Sequence, residues 1–419
     1  MRKMILPLIA IAAIAAQAQK MDTGVKITDS RVHSLVTAPL SNQYMPPVIV
    51  LGGDDALRVN FDLMDYDAHY LRYSVQHCNA DWQPSQLVES EYVDGFNYAD
   101  ITDYAQSNGT FANYYNYNFT IPNPDMRLKV SGNYVVRVYE QDDPDKVLLQ
   151  TRFSVSENRV GVSAEATSRT DVDYNASHQQ VAFTVTSKPG AISDPYNELT
   201  AVVSQNVRTD NEVTLTRPLM VSGNQVKFDH TPSLIFAAGN EYRRFETVNI
   251  NTSNMGVDRI EFHEPYYHAV LRTDAERADA AYSYDQTQYG HFTVRCSGSE
   301  RSNVEADYTV AHFSLHTGRE LSGGTLHIDG AFAAGLPSAA TQMRYNAATG
   351  CYEGSMLLKQ GSYNYQYLWL PQGSATGVTA KVEGDKYQTI NQYLVKVYQR
   401  PVGSRYDRLV GFGITYSGR

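Results

Sequence analysis

Polar and apolar residues alternate along most of the chain, with the two-residue period of β-strands. In the segment 71–77, Leu71, Tyr73 and Val75 fall on one face and polar side chains fall on the other. The same spacing recurs at residues 134–139, 181–185, 313–315 and 363–369. Helical periodicity is scarce, since the alanine-rich stretch 273–282 lacks a continuous apolar stripe. The pattern predicts an all-β protein.

Turn-rich polar segments divide these strands into units. A chain of 419 residues has room for two to four domains of about 100–200 residues. Polar clusters occur near residues 141–145 and 297–303, and short strands separated by turns are typical of β-sandwiches. We therefore predict three consecutive immunoglobulin-like or early-set β-sandwich domains, which cover residues 25–157, 158–300 and 301–419.

The N-terminus has the pattern of a secretory signal peptide. Arg2 and Lys3 precede an apolar run over residues 4–16, and small residues at positions 16 and 18 form a cleavage signature. The run is too short to cross a membrane as a helix, and no cysteine follows the cleavage position to carry a lipid. We expect cleavage after residue 18 and export without a membrane span.

Charge and cysteine content narrow the possible partners. The formal net charge is −10, and removal of Arg2 and Lys3 with the leader makes it more negative by two. An acidic chain without a basic run is a poor binder of nucleic acids or anionic membranes. A disulfide framework needs more cysteines and an even number of them, whereas this chain has only Cys78, Cys296 and Cys351, which lie far apart. We expect buried thiols, with a single bridge as the alternative.

The chain lacks the sequence signatures of a nucleophile elbow, a phosphate-binding loop and a zinc site. Asp62, Asp65 and Asp67 form an acidic cluster after the strand at 57–61, but the glycine and glutamate of a calcium loop are missing. We interpret the cluster as a solvated turn. The sequence therefore predicts no catalytic residue, no metal and no cofactor, and it favours a binding protein over an enzyme.

Tyrosine is abundant, with 31 tyrosines against 2 tryptophans. Tyrosine offers a large, rigid contact area and is enriched at protein interfaces. The segment 111–119 carries aromatic residues on both faces, so one face is expected to meet another domain or a partner. Adjacent arginines in the extended segment 239–245 point to opposite faces, so one is expected to pair internally. The predicted partner-binding residues are Tyr114, Tyr115, Tyr117, Arg243 and Arg244.

A series of motifs resembles one family both in the residues of each motif and in the order of the motifs along the chain. The motifs are residues 73–82, 91–96, 239–245, 358–365 and 406–411. Together they are similar to the plug protein family of the type IX secretion system of Bacteroidota, and the resemblance spans nearly the whole chain after the leader.

The resemblance implies a periplasmic protein associated with the outer membrane. Its partner would be the large outer-membrane translocon barrel, whose periplasmic opening it would close, with no nucleic acid or small-molecule substrate. The motif residues are expected to have structural roles, with Trp82 in a sandwich core and the glycines in turns. The residues concerned are His77, Cys78, Asp81, Trp82, Gly95, Phe96, Gly239, Asn240 and Glu241.

The third unit also resembles the early-set sandwich of glycogen-binding modules, through residues 326–332, 343–346 and 361–365. Sugar binding requires exposed aromatic rings, and such modules commonly carry a tryptophan just after the position of Phe332. Here the stretch 333–337 has no aromatic residue. The fold can be shared while the sugar site is absent. The alternative function suggested by this resemblance is a periplasmic or surface carbohydrate-binding protein.

Overall fold

The computed structural model describes residues 22–252, 254–333 and 337–418. The predicted signal peptide, residues 1–18, lies outside the described residues. Strands account for 48% of the chain and helices for 5%, which confirms the all-β prediction. Of the last segment singled out by alternation, Tyr363, Tyr365, Tyr367 and Trp369 are all buried on one long strand.

The first unit is a sandwich of two sheets. One sheet has the order β1-β12-β11-β5-β7 with β3 against β12, the other has the order β2-β4-β9-β8, and β6 and β10 form a small ribbon. The two sheets share one apolar core. Its elements are β1 (Lys26–Ile27), β2 (Val32–Pro39), β3 (Val48–Val50), β4 (Leu57–Leu63), β5 (Leu71–Cys78), α1 (Glu89–Tyr92), β6 (Val93–Gly95), β7 (Ala99–Asp100), β8 (Asp103–Gln106), β9 (Tyr115–Ile121), β10 (Met126–Leu128), β11 (Gly132–Glu140) and β12 (Asp143–Ser156).

The second unit begins as a sheet of five strands, β13-β14-β18-β17 with β19 against β14. Its opposite sheet starts with β16 and β15 and is completed from the end of the chain. The elements before this return are β13 (Gly161–Thr167), β14 (His178–Thr186), α2 (Pro195–Glu198), β15 (Leu199–Gln205), β16 (Val213–Leu215), β17 (Met220–Ser222), β18 (Gln225–Phe228), a 3-10 turn (Pro232–Leu234) and β19 (Ile235–Ala237).

The third unit has one sheet of β20-β29-β24 with β26 against β29, and a second of β21-β22-β25-β28-β27 with β23 against β25. Its elements are β20 (Arg243–Glu246), β21 (Val257–His263), β22 (Tyr266–Leu271), β23 (Asp274–Ala275), β24 (Phe292–Val294), α3 (Ser302–Glu305), β25 (Tyr308–His316), β26 (Gly324–Asp329), a 3-10 turn (Ala331–Ala333), β27 (Arg344–Asn346), β28 (Cys351–Lys359) and β29 (Gly361–Pro371).

The chain then returns to the second unit through β30 (Gln392–Gln399) and β31 (Arg408–Tyr416). β30 pairs with β15 along its whole length, and β31 pairs with β30. Tyr393, Val395, Val397 and Val410 belong to the same core as Val181 and Phe183. The predicted division into 158–300 and 301–419 therefore differs from the sheets, since the third sandwich is inserted within the second. Local turn clusters mark where strands end but carry no information about which distant strand is the neighbour.

Candidate interaction surfaces

Two of the three tyrosines predicted to meet a partner are buried inside the chain. Tyr114 lies between the first and third units, and its hydroxyl donates to the carbonyl of Ala306 at 2.7 Å. Tyr117 lies in the first core, stacked on Phe61 at 5.4 Å. Tyr115 is only half-buried. The partner role predicted for Tyr114 and Tyr117 is wrong, because another unit and a sandwich core cover their rings.

A buried polar cluster joins the first unit to the third beside Tyr114. Lys359 Nζ lies 2.6 Å from Asp62 Oδ2, and both side chains are at most 1% exposed. The Tyr308 hydroxyl donates to the same oxygen at 2.6 Å, and Asn116 donates to the other carboxylate oxygen at 2.8 Å. Burial lowers the pKa of Lys359, although the charge of Asp62 opposes this shift. The solvated turn predicted around Asp62 is therefore wrong for this residue, which lies within β4 and is neutralised by the third unit.

Arg243 is the arginine of the adjacent pair that works internally. Its guanidinium lies 3.0 Å from Glu383 and 2.7 Å from Asp274, and its side chain is 9% exposed. Glu383 also forms an ion pair with Arg277. Burial alone would raise the pKa of Glu383, but the two arginines hold it below its usual range. A direct partner contact predicted for Arg243 is wrong, because this ion-pair network occupies its guanidinium.

Arg244 points the other way and remains accessible. It makes a bidentate pair with Asp285, with the closer contact at 2.7 Å, and its side chain is 31% exposed. Together with the half-buried Tyr115, it is what the structure leaves accessible of the predicted partner-binding set.

Several motif residues of the first unit are buried. His77 is fully buried, donates from Nε2 to the Ser131 carbonyl at 3.0 Å and accepts at Nδ1 from Ser85 at 2.8 Å. Burial lowers the pKa of His77 to about 4. Burial also raises the pKa of the Cys78 thiol to about 12. Asp81 is exposed, and its carboxylate accepts the backbone N–H of a neighbouring turn residue at 3.0 Å.

Gly239, Asn240 and Glu241 secure the point where the chain leaves the second unit and enters the third. Gly239 has a φ of +62°, which favours glycine. The Asn240 side chain donates to the Glu383 carbonyl at 2.9 Å, and Glu241 accepts the Tyr282 hydroxyl at 2.8 Å. Burial raises the pKa of Glu241. The side chains of Asn240 and Glu241 thus stabilise the segment that connects the second sandwich to the third.

Trp82 lies outside the sandwich cores, which corrects its predicted position. It packs with Cys78 and Val135 on the outer side of a sheet, and it lines the space where the three units meet. Its φ of +63° is unusual for a bulky residue. Arg152 covers its ring at 4.4 Å and Lys396 lies 5.0 Å from the ring centre.

Phe96 is 72% exposed and lies outside the sandwich cores, so its structural role stays a prediction. It stacks on Tyr98 at 5.5 Å, and the guanidinium of Arg72 lies 5.0 Å from the Tyr98 ring. Gly95, at φ +101°, positions this turn, because a Cβ there would lie 2.7 Å from the Asp125 carbonyl oxygen. We call Phe96, Tyr98 and Arg72 the edge patch, since β7 beside them is the edge strand of its sheet.

A second exposed aromatic cluster spans the first and third units. Phe111 lies 4.7 Å from Phe262 and 5.5 Å from Tyr267, and the two phenylalanines are 56% and 43% exposed. The backbone N–H groups of Phe111 and Ala112 donate to the Asp307 carboxylate at 2.8 and 3.1 Å. We call Phe111, Phe262 and Tyr267 the junction patch. One part of the predicted aromatic block therefore reaches the surface.

Candidate metal ligands and the tyrosines shared with glycogen-binding modules can both be located in the described residues. The described residues contain no group of three or more histidine, cysteine or acidic residues placed to hold a metal ion. Cys78, Cys296 and Cys351 are free and buried, as the sequence predicts. Tyr363 and Tyr365, from the segment shared with glycogen-binding modules, are 1% and 4% exposed and offer no stacking platform.

The geometry defines an all-β protein of three joined sandwiches, with exposed aromatic patches as its most distinctive accessible features. Residues 32–157 match the family model described as the Type 9 secretion system plug protein 1st domain. This match identifies the first unit as a type IX secretion system plug protein 1st domain, in agreement with the family resemblance of the sequence. No helix within the described ranges is long and apolar enough to span a membrane.

One solved structure supports the fold over 95% of the chain. A hypothetical protein from Parabacteroides merdae is 41% identical, with 95% of this chain and 100% of that chain covered and a TM-score of 0.93. Native alpha-2-macroglobulin from Escherichia coli, domains NIE-MG1, is 12% identical over 50% of this chain and 99% of that chain, with a TM-score of 0.16. A partial N-terminal region of the enterococcal surface protein is 9% identical, with 95% of this chain and 97% of that chain covered and a TM-score of 0.21. The last two scores carry no structural argument. Comparison with curated proteins finds no match.

Proposed function

We propose that this chain is a non-catalytic plug subunit, which binds the outer-membrane translocon barrel of the type IX secretion system and closes its periplasmic opening. The observation that carries the proposal is the match of residues 32–157 to the first domain of the plug family. Export by the predicted leader would deliver the chain to the periplasm. The outer membrane would then be reached by contact with the barrel.

The way the three sandwiches are joined supports a rigid cap. The first and third units share the buried pair Lys359–Asp62 at 2.6 Å. The first and second units share an apolar cluster that includes Val48 and Leu394, beside a hydrogen bond of 2.7 Å from the Tyr398 hydroxyl to the Asn133 side chain. Apolar and fully paired polar contacts between units oppose relative motion. A cap needs that stiffness to block a pore.

We propose the edge patch as the contact with the barrel. Exposed aromatic residues and arginine dominate the energetics of protein interfaces. Phe96 and Tyr98 lie inside the domain matched by the family model, on a turn held in place by Gly95. The Asn97 side chain reinforces this turn, since it accepts the Val75 N–H at 3.1 Å and donates to Glu89 at 2.9 Å. A patch of preordered rings binds with a small loss of side-chain entropy.

Affinity capture from gently solubilised outer membranes tests the proposal. The tagged chain should recover a large barrel protein, and Phe96→Ala combined with Tyr98→Ala should reduce that recovery. Val402→Ala is the matched control, since Val402 is 99% exposed and apolar but lies on the second unit. Capture without any large barrel would contradict the proposal. Equal recovery by the double variant would reject the edge patch as the contact.

A further inference from the structure

The three units meet around a cavity of about 210 Å³. One ordered water needs about 10–15 Å³ of cavity volume, so the space is large enough for a small organic molecule. Ligand sites occur preferentially at such junctions between domains. Much of the wall is apolar and comes from all three units; it includes Leu35, Pro46, Val48, Phe292 and Leu394.

Two cations face this cavity without an acidic partner in direct contact. Lys396 is 4% exposed, and its charge and its hydrogen bond lower the pKa of the neighbouring Tyr398 hydroxyl against the larger effect of burial. Arg152 donates from Nε to the Thr23 carbonyl at 2.5 Å. Within the described part of the chain, neither cation forms an ion pair. A buried cation without a counter-charge is unfavourable, so an anion in the cavity would be stabilised.

Trp82 supplies a third donor at the same place. Its Nε1 is buried and has no hydrogen-bond partner among the described residues. The indole ring lies against Arg152 and Lys396, at 4.4 and 5.0 Å. Buried donors in native proteins nearly always have a partner, so an unpaired indole N–H beside a cavity points to an absent acceptor.

Nearby carboxylates act on Arg152 through their charge rather than by direct contact. Glu212 lines the cavity and acts on Arg152, as does Asp22, which is exposed and pairs with Lys26 at 3.5 Å. With Arg208, its partner Asp210 and the ionised Asp329 included, three cations and three carboxylates surround the cavity, so the charges balance although Lys396 and Arg152 lack a direct acidic contact.

The other ionisable groups of the wall are occupied. Arg208 pairs with Asp210 at 2.7 Å, with both side chains nearly buried. Asp329 accepts from Gln366 at 2.8 Å, and burial raises its pKa to about 6 despite the opposing charge of Arg208. Burial lowers the pKa of His291 to about 4, so this ring is neutral at pH 7. The donors around Trp82 are thus the ones available to a ligand.

We infer that the cavity binds a carboxylate carried on an apolar group. The carboxylate oxygens accept from Lys396 and the Trp82 indole, close to Arg152, and the apolar part packs on the wall that includes Phe292 and Leu394. Two sources share this chemistry: a free small carboxylic acid, and the C-terminus of a polypeptide that ends in an apolar residue. The inference does not depend on the proposed plug function.

Tryptophan fluorescence offers a direct test, because the chain has only Trp82 and Trp369. In a Trp369→Phe background, Trp82 reports on the cavity alone. Octanoate and N-acetyl-leucine should each produce a saturable change in emission, and N-acetyl-leucinamide, which lacks the carboxylate, should not. Binding of octanoate alone identifies a free acid as the source, and binding of N-acetyl-leucine alone identifies a polypeptide C-terminus.

Lys396→Met should weaken binding by about tenfold or more, the loss expected when a charged donor is removed. Lys146→Met, at a surface position that is 50% exposed, should leave binding unchanged. Calorimetry of the unsubstituted chain with the acid and its amide keeps the test valid if the buried substitution unfolds the protein. Absence of saturable binding up to about 10 mM, equal binding of the amide, or full binding by folded Lys396→Met would overturn the inference.

Discussion

Lys359 and Asp62 are 297 positions apart in the sequence, yet their charged groups lie 2.6 Å apart inside the protein. Asp62 belongs to β4 of the first unit and Lys359 ends β28 of the third. Since Tyr308 and Asn116 complete the hydrogen bonds of the carboxylate, the pair is fully enclosed by polar partners. Separation of the two units would expose this cluster and Tyr114 together. The pair therefore couples the stability of one sandwich to that of another.

Removal of the lysine should be strongly destabilising. Lys359→Met leaves the Asp62 charge buried without its counter-charge, and we expect a loss of about 3–5 kcal/mol in the free energy of unfolding. The double variant Asp62→Asn with Lys359→Met should recover much of that loss. Lys146→Met, which breaks an exposed pair with Glu140 at 3.0 Å, should cost about 0–1 kcal/mol. Chemical denaturation measures all three. Equal effects of Lys359→Met and Lys146→Met would show that the buried pair does not join the units.

His77 should make the protein sensitive to mild acid. Its pKa is about 4 in the folded state against 6.5 unfolded, so the unfolded chain binds the proton first as pH falls. Stability from this residue is complete above pH 6.5 and declines toward pH 4, by about 3 kcal/mol at most. His77→Gln should flatten the decline between these pH values in thermal unfolding. An unchanged pH profile would show that another group controls the acid sensitivity.

The inserted arrangement of the sandwiches predicts a specific effect of truncation. A chain that ends at residue 389 loses β30 and β31, and with them Tyr393, Val395 and Val397 from the second core. Hydrogen exchange should then show loss of protection over residues 161–237, whereas a chain that lacks only residues 418–419 should keep it. Retained protection over 161–237 in the shorter chain would mean that the second unit folds without its C-terminal strands.

Phe96→Ala should separate binding from stability. The side chain is 72% exposed and touches mainly Tyr98, so its removal should change the free energy of unfolding by no more than about 0.5 kcal/mol. If Phe96 anchors the interface with the barrel, its loss should weaken binding by about 2 kcal/mol or more. Surface plasmon resonance against the solubilised translocon, beside thermal unfolding, measures both quantities. A large loss of stability with unchanged affinity would assign Phe96 to folding.

The sequence predicted the positions of the strands better than it predicted which strands pair with each other. Alternation located β5 through Leu71, Tyr73 and Val75, because a period of two reports which face of a strand is buried. The same alternation cannot report that β15 pairs with β30, a contact between segments nearly two hundred residues apart. The middle and third domains were divided incorrectly for this reason.

The candidate site was predicted less well, since burial by another unit leaves no local signal. The sequence predicted a solvated acidic turn for Asp62 and a partner contact for Tyr114. In the structure, the third unit covers both residues. The sequence could have indicated that Phe96 is exposed, because it is an aromatic residue that follows a glycine in a turn. Its place in a family motif led to a structural interpretation instead.

Closure of the barrel is the central claim, and single-channel conductance of the reconstituted translocon tests it most directly. Addition of the chain to the periplasmic side should abolish the large conductance, and Phe96→Ala with Tyr98→Ala should do so only at higher concentration. An open pore of undiminished conductance at saturating wild-type protein would contradict the account.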